Sequence, residues 1–425
     1  MIDRKTGPKI HTIRGLKLPP IDMYTLPNGV KVCEVNQGSQ EIVKFDIYNC
    51  AGRVQEDFPL ASRAVSSLLK DGTTTKNSAQ LAEAIDYYGA SIKTASNMDF
   101  AYTTLFSLTK HCEQVLPIIH DMHYHPTFVE EELEKFKRLN IQKLKEELTK
   151  NDVITYRQIT EDIFGHKHPY GYNSLESDYN DLNRNVLVQH HNNYYGTNNT
   201  YIFLSGKITD KIRHLIADLF GTDSTSSVQK PYSFEVPTVA KKQIFLKSKN
   251  EHQSAIKLGR RLFNRSHEDH PAFFVLNTIF GGYFGSRLMM SIREDLGYTY
   301  DIFSNLDQMV HDGCFYISTE ADPEYTEPII SEIYHQMDIL KQEKVGYQEL
   351  NMVQNYLMGT FMNMLDGPIN VASLAKSMIL SGKTPQDFMV FVDALISVSK
   401  DDIMYMAQKY FDPADMIEVS ISPEG

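Results

Sequence analysis

GTDSTSSVQKPYSFEVPT, residues 221–238, is polar, rich in serine and threonine and broken by Pro231 and Pro237, the composition of a connector between packed units. Upstream, MYTLPNGVKVCEV (23–35) alternates apolar residues about a Pro-Asn-Gly turn, and EIVKFDIYNCAG (41–52) follows as a strand. LASRAVSSLLK (60–70) has helical apolar spacing, SAQLAEAIDYYG (78–89) reads as a helix capped by Ser78, and ASIKTASNMDFAYTTLFSL (90–108) alternates like paired strands. A helix dense in Glu and Lys covers 128–148, another helical region reaches His191, and YIFLSGKI (201–208) is a strand. Downstream of the connector the order restarts. QIFLKS and SAIKLGRRL are strands, HPAFFVLNTIF and SRLMMSIREDL helices, YDIFSNLD and GCFYISTEA paired strands, and TEPIISEIYHQMDILKQ a long helix. This repetition predicts an α+β fold built by internal duplication, with a first domain over 1–225, a linker over 226–240 and a second domain over 241–425. Length agrees, since 425 residues exceed what one core usually organises.

Composition excludes several classes of function. Forty-two Lys and Arg against fifty-four Asp and Glu leave a formal charge of −12, which repels phosphate backbones and anionic headgroups, so neither nucleic acid nor a membrane is an expected partner. MIDRKTGPKIHTIRGLKLPP at the N-terminus has basic residues with no apolar run behind them, and no stretch reaches the length of a membrane span. Cys33, Cys50, Cys112 and Cys314 are scattered without metal or redox spacing, which predicts a cytoplasmic protein.

GGYFGSRLMMSIREDLGYTYDI (281–302) resembles the C-terminal-domain signature of the pitrilysin, insulin-degrading enzyme and mitochondrial processing peptidase family, the inverted-motif zinc peptidases. LPNGVKV, the DGT at 71–73, HPYGYN (168–173), HHNNYYGTNNT (190–200) and HQSAIKLG (252–259) fall where that family has comparable motifs, so the resemblance spans nearly the whole chain. It implies that each half is an antiparallel sheet packed with helices.

Active members of the family carry His-x-x-Glu-His on a helix just before a Gly-Thr, and a distal Glu completes the zinc ligands. Matched through Gly72-Thr73, those positions here are Arg63, Ser66 and Ser67; the distal Glu aligns with Lys143, with Glu146 and Glu147 as alternatives. A permanent cation, an unbasic hydroxyl and a weak neutral ligand cannot hold zinc. No catalytic residue and no cofactor is therefore expected of this chain itself. Arg293 and Tyr300 match the family's substrate-binding pair, which lies across the cleft from the zinc, with Tyr298 the competing tyrosine. A guanidinium and a phenol can donate hydrogen bonds to an oxygen that becomes negative in a tetrahedral transition state.

The resemblance thus implies a non-catalytic subunit that pairs with a homologous zinc-bearing subunit and binds peptide, leaving a homodimer open when that partner is absent. The alternative is an inert peptide-binding or assembly protein of the same fold. His120, His123 and His125 in HDMHYHP form the richest histidine cluster, but Pro126 ends their helix and only Asp121 could add a carboxylate, so no metal is expected there. His267 and His270 in HEDHP read as the start of a helix that holds Pro271 in its first turn.

Overall fold

A computed structural model of the chain describes residues 15–228, 230–235, 242–248 and 252–423. Residues 229 and 236–240 of the expected linker lie outside that set. Two sheets organise the molecule. The first comprises β1 (Asp22–Thr25), β2 (Lys31–Asn36), β3 (Ile42–Asn49), β4 (Ser91–Ser96), β5 (Ala101–Leu108) and β6 (Thr200–Gly206), in the order β1-β2-β6-β3-β5-β4. The second comprises β7 (Lys242–Ser248), β8 (Ser254–Leu262), β9 (Thr299–Gln308), β10 (Gly313–Ala321) and β11 (Ile417–Pro423), in the order β7-β11-β8-β10-β9. Setting β1 aside, the two orders are the same. The duplication read from the order of elements is therefore a duplication of topology. Each sheet departs from pure antiparallel pairing at one place, because its last strand in sequence runs parallel to an early one, β6 along β2 and β11 along β7.

Local chemistry explains the elements. Leu26–Val30 closes the β1–β2 turn, with Gly29 at φ +96°, a region glycine enters without strain. The helix Ser78–Tyr87 is capped by Asn77 and not by Ser78: the Asn77 side chain accepts from the Gln80 amide and the Gln80 side chain accepts from the Asn77 amide, a reciprocal box that satisfies two end groups. SRLMMSIREDL does not form the regular α-helix its spacing suggests; Met289–Asp295 is wound as a π-helix.

Period-two alternation sorts each strand between two faces. On β3, Phe45 and Ile47 enter a core with Val115, Ile119, Ile212 and Phe220 from the helices Cys112–Tyr124 and Asp210–Phe220, while Asp46 and Tyr48 face the other way. That second face is covered by the helix Pro368–Leu380, which comes from the other half of the chain and packs on β2 and β6. The relation is reciprocal. The helix Asn151–Phe164, from the first half, packs on β8 and β11 of the second sheet, bringing Ile159 and Ile163 against Cys314, Tyr316, Ile417 and Val419.

Each exchanged helix is fixed to its host sheet by a charge pair of opposite polarity, one buried and one with a half-exposed carboxylate. Lys376 of one helix reaches Asp46 of β3 at 3.0 Å, where Lys44 also approaches at 3.0 Å. Asp152 of the other helix receives Lys257 of β8 at 2.5 Å, and the same ammonium donates to Ser318 at 2.6 Å. The described part of the connector is fastened too: the Gly196 amide donates to Ser227 Oγ at 2.7 Å, Lys230 meets Asp57 at 3.1 Å, and the Tyr232 ring stacks on His311 at 4.2 Å.

Candidate functional site

The helix Ala61–Leu68 begins where Leu60 turns the chain in the left-handed region at φ +66°. Glu56 supplies its missing cap, accepting from the Ser62 amide at 2.9 Å and the Leu60 amide at 3.2 Å. Burial pushes the Glu56 carboxyl up to about 7, against the opposing pull of Arg53.

Arg63, Ser66 and Ser67 lie on this helix, and the first two are hydrogen-bonded. Arg63 points toward the helix Glu130–Glu147: one guanidinium nitrogen donates to the Tyr179 hydroxyl at 3.0 Å and another to Asn140 Oδ1 at 2.9 Å. Asn140 in turn donates to the Phe136 carbonyl at 2.8 Å. Ser66 is buried, donating to the Ser62 carbonyl at 2.7 Å and lying 3.3 Å from the Tyr195 hydroxyl. Ser67 is half-buried. Lys143 is not the residue opposite Arg63. It stands on the outer face of its helix, 63% exposed, and pairs with Glu147 at 3.6 Å. Leu133, Phe136 and Leu144 are the buried residues of that helix, and Asn140, four residues before Leu144, is the one that bonds Arg63. That spacing was visible in the sequence; the link to Tyr179 and Tyr195, far along the chain, was not.

The histidine cluster beside this site is dispersed in role. His123 is buried with both ring nitrogens unpartnered, its ring against Tyr124 and Tyr195, and burial holds its pKa well below the usual value. His125 is half exposed and lies 3.3 Å from Asp121. Among the described residues no group of three or more His, Cys, Asp or Glu side chains is arranged to hold a metal ion.

Arg293 and Tyr300 occupy a different setting. Arg293 sits in the π-helix Met289–Asp295, a winding that recurs at functional sites. Its guanidinium pairs with neighbouring Glu294 and lies 4.7 Å over the ring of Phe284. Gly297, at φ +68°, then turns the chain into β9. Tyr300 stands on the first residues of that strand, 89% exposed. Tyr298 is spent differently, stacked on Tyr325 at 4.6 Å. Gly281 lets the helix His270–Gly281 close onto β9, since a Cβ there would come within 2.6 Å of Ser304 Oγ.

The model of a family domain described as "Insulinase (Peptidase family M16)" matches residues 61–171, and that described as "Peptidase M16 inactive domain" matches residues 181–357. The chain belongs to the M16 peptidase family. It is 25% identical over 410 residues to an uncharacterized zinc protease of Bacillus subtilis, covering 95% of this chain and 99% of the relative, and 23% identical to one of Rickettsia felis, covering 91% and 94%. Its fold is that of an M16 inactive-domain protein from Pseudomonas fluorescens, with a TM-score of 0.86 at 20% identity over 95% of this chain and 98% of the other. It is also that of a protease from Helicobacter pylori, with a TM-score of 0.87 at 16% identity over 96% and 100%. Zinc is the metal in the relatives' names, and the helix Ala61–Leu68 of this M16 chain does not fit it. Arg63 there is a permanent cation with no lone pair to offer a metal, two of its N–H groups donate to Tyr179 and Asn140, and Ser66 is buried and hydrogen-bonded.

Proposed function

We propose that this chain is the non-catalytic subunit of a heteromeric zinc peptidase and that it supplies Arg293 and Tyr300 to the active site of a zinc-bearing homologous partner that cleaves peptides. The observation that carries the reading is the contrast between the two places where an M16 chain can contribute to catalysis. The metal-binding helix is filled by the Arg63–Tyr179–Asn140 network, whereas Tyr300 is 89% exposed with Arg293 on the π-helix just before it. In the paired enzyme the phenol and guanidinium donate hydrogen bonds to the scissile carbonyl oxygen as negative charge builds on it, and zinc belongs to the partner. Arg293 exchanges its contact with Glu294 for the substrate oxygen. Without the partner, a homodimer of this chain would bring the same Arg/Tyr pair to a cleft that contains no metal ligands.

The cytoplasm is the compartment that suits the four free cysteines, and among the described residues no helix is long and apolar enough to cross a membrane.

The test is reconstitution with a homologous chain that retains His-x-x-Glu-His, followed by hydrolysis of a fluorogenic peptide. The isolated chain is expected to be inactive and the pair active, with Arg293→Ala or Tyr300→Phe abolishing most of the rate. Unchanged rates in both variants would leave the inert assembly or peptide-binding reading in its place; stoichiometric zinc and hydrolysis by the isolated chain would overturn both.

A further inference from the structure

A cavity of about 620 Å³ opens in the second half, between β9 and the helices His270–Gly281, Tyr347–Met364, Pro368–Leu380 and Asp387–Ser397. Its size falls within the range of small-molecule sites, about 300–1,000 Å³. The interior is apolar and largely aromatic, formed by Phe274, Phe361, Phe388, Phe391, Leu306 and Leu374.

The neutral polar lining includes Gln308, Thr360, Asn363, Asn370 and Ser373, and the cations are Arg265 and Lys383. Arg265 reaches over from the loop before its helix and donates to Ser377 Oγ at 2.7 Å; Lys383 donates to the Arg265 carbonyl at 2.7 Å. Among the described residues neither makes an ion pair. Asp387, the carboxylate on the same rim, already accepts from the Thr384 amide at 2.7 Å and the Thr384 hydroxyl at 2.9 Å. Two cations against one locally bonded carboxylate leave a positive rim on a chain whose net charge is −12. His270 records that field. Burial, then Arg265 and Lys383, push it down to about 4, so it is neutral and bonds Gln308 Oε1 at 3.0 Å. The other end of that carboxamide, Gln308 Nε2, is a buried donor without an acceptor, on a residue that lines the cavity.

We infer that this cavity binds an amphipathic carboxylate, its apolar chain over the phenylalanine floor and its carboxylate against Arg265 and Lys383. A buried donor and two cations without an ion pair beside a half-open apolar pocket match an acceptor-only anionic head on a hydrocarbon body. A cationic head would meet like charge at the rim, and a neutral alcohol would leave both cations unanswered. This ligand site does not depend on the peptidase reading: the side chains that form it are not Arg293 or Tyr300.

The experiment is calorimetric titration of the full chain with decanoate, decylamine, decanol and acetate. Decanoate is expected to bind saturably at one per chain, decanol at least tenfold more weakly, and decylamine and acetate not at all. The double variant Arg265→Gln/Lys383→Gln should weaken decanoate at least tenfold and leave decanol unchanged, and Leu374→Trp should fill the floor and remove binding of both, with circular dichroism confirming that each variant is folded. Absence of decanoate binding, or equal binding of decylamine and decanoate to the unmodified chain, would overturn the proposal without recourse to any variant. So would decanoate binding that both folded variants retain.

Discussion

Arg63 and Arg293 are both helical arginines, one in each half of a duplicated chain, and the two halves use them in opposite ways. Arg63 is turned inward and shared between Tyr179 and Asn140, joining three segments of the first half. Arg293 lies across an exposed phenylalanine and, among the described residues, bonds its neighbour in sequence. An inward network holds structure; an outward side chain with a local, exchangeable partner is available to something else. The comparison teaches that the helix Ala61–Leu68 is not a gap in the fold, because Arg63 and Ser66 on it are held by hydrogen bonds.

The exchanged helices give the comparison its strongest test. Among the described residues Asp46 is the only carboxylate paired with Lys44 and Lys376, and all three side chains are 15% exposed or less. Asp46→Ala strands two buried cations and is expected to cost about 3–5 kcal/mol, read from the midpoint shift in urea unfolding. The counterpart is weaker by design of its surroundings: Asp152 is half exposed, and Lys257 keeps its bond to Ser318 when the carboxylate is removed. Asp152→Ala is expected to cost about 1.5–3 kcal/mol. Equal losses would mean that the two fastenings are equivalent in spite of their different burial.

Next in size is the effect on catalysis in the reconstituted pair. Arg293→Ala and Tyr300→Phe each remove one donor to the transition-state oxygen and are expected to lower kcat about 10²–10³-fold, whereas Arg63→Ala should change it only a few-fold. A loss of kcat in Arg63→Ala as large as in the other two would erase the division between a structural and a functional arginine.

How much of this was legible beforehand depends on whether the information is local. The α+β class, the repeat and most strands follow from alternation and helical spacing, which are set by neighbours in sequence. The inward position of Asn140 follows from the same spacing, since Leu133, Phe136 and Leu144 define the stripe it shares, whereas its bond to Arg63 joins helices far apart in sequence. The exchanged helices and the parallel pairs β2/β6 and β7/β11 were not legible, because they are choices between partners more than a hundred residues apart that offer the same apolar faces. The π-helix at Arg293 escaped notice for a related reason: SRLMMSIREDL has ordinary helical spacing, and the winding is adjusted to its neighbours.

Acid should weaken both halves. His190 in the first and His270 in the second are each 8% exposed or less and pushed down to about 4, chiefly by burial. The folded chain holds them neutral while the unfolded chain takes up protons near 6.5. Their stabilisation is therefore complete above about pH 6.5 and is lost as pH falls toward 4, by up to about 3 kcal/mol for each. Unfolding free energy measured from pH 7 to pH 4 should decline less steeply in His190→Gln and in His270→Gln than in the unmodified chain. A slope unchanged by either replacement would mean that neither histidine resists protonation in the fold.

The smallest expected effect makes the sharpest distinction between the two arginines. Removing Arg63 leaves the Tyr179 hydroxyl, on a ring that is 1% exposed, and the Asn140 carbonyl without their partner, and unmet polar groups of this kind cost about 1–3 kcal/mol. Removing Arg293 breaks a pair with an adjacent residue and a stack on the exposed ring of Phe284, so stability should stay within about 0.5 kcal/mol. Urea midpoints of the two alanine variants, measured on the isolated chain, therefore need no partner and no substrate. If Arg293→Ala were the more destabilising of the two, its guanidinium would be holding the π-helix in shape, and a loss of paired activity in that variant could no longer be assigned to a missing hydrogen bond in the transition state. Tyr300→Phe escapes that ambiguity, because it removes a single hydroxyl from a residue that is 89% exposed and leaves the ring in place.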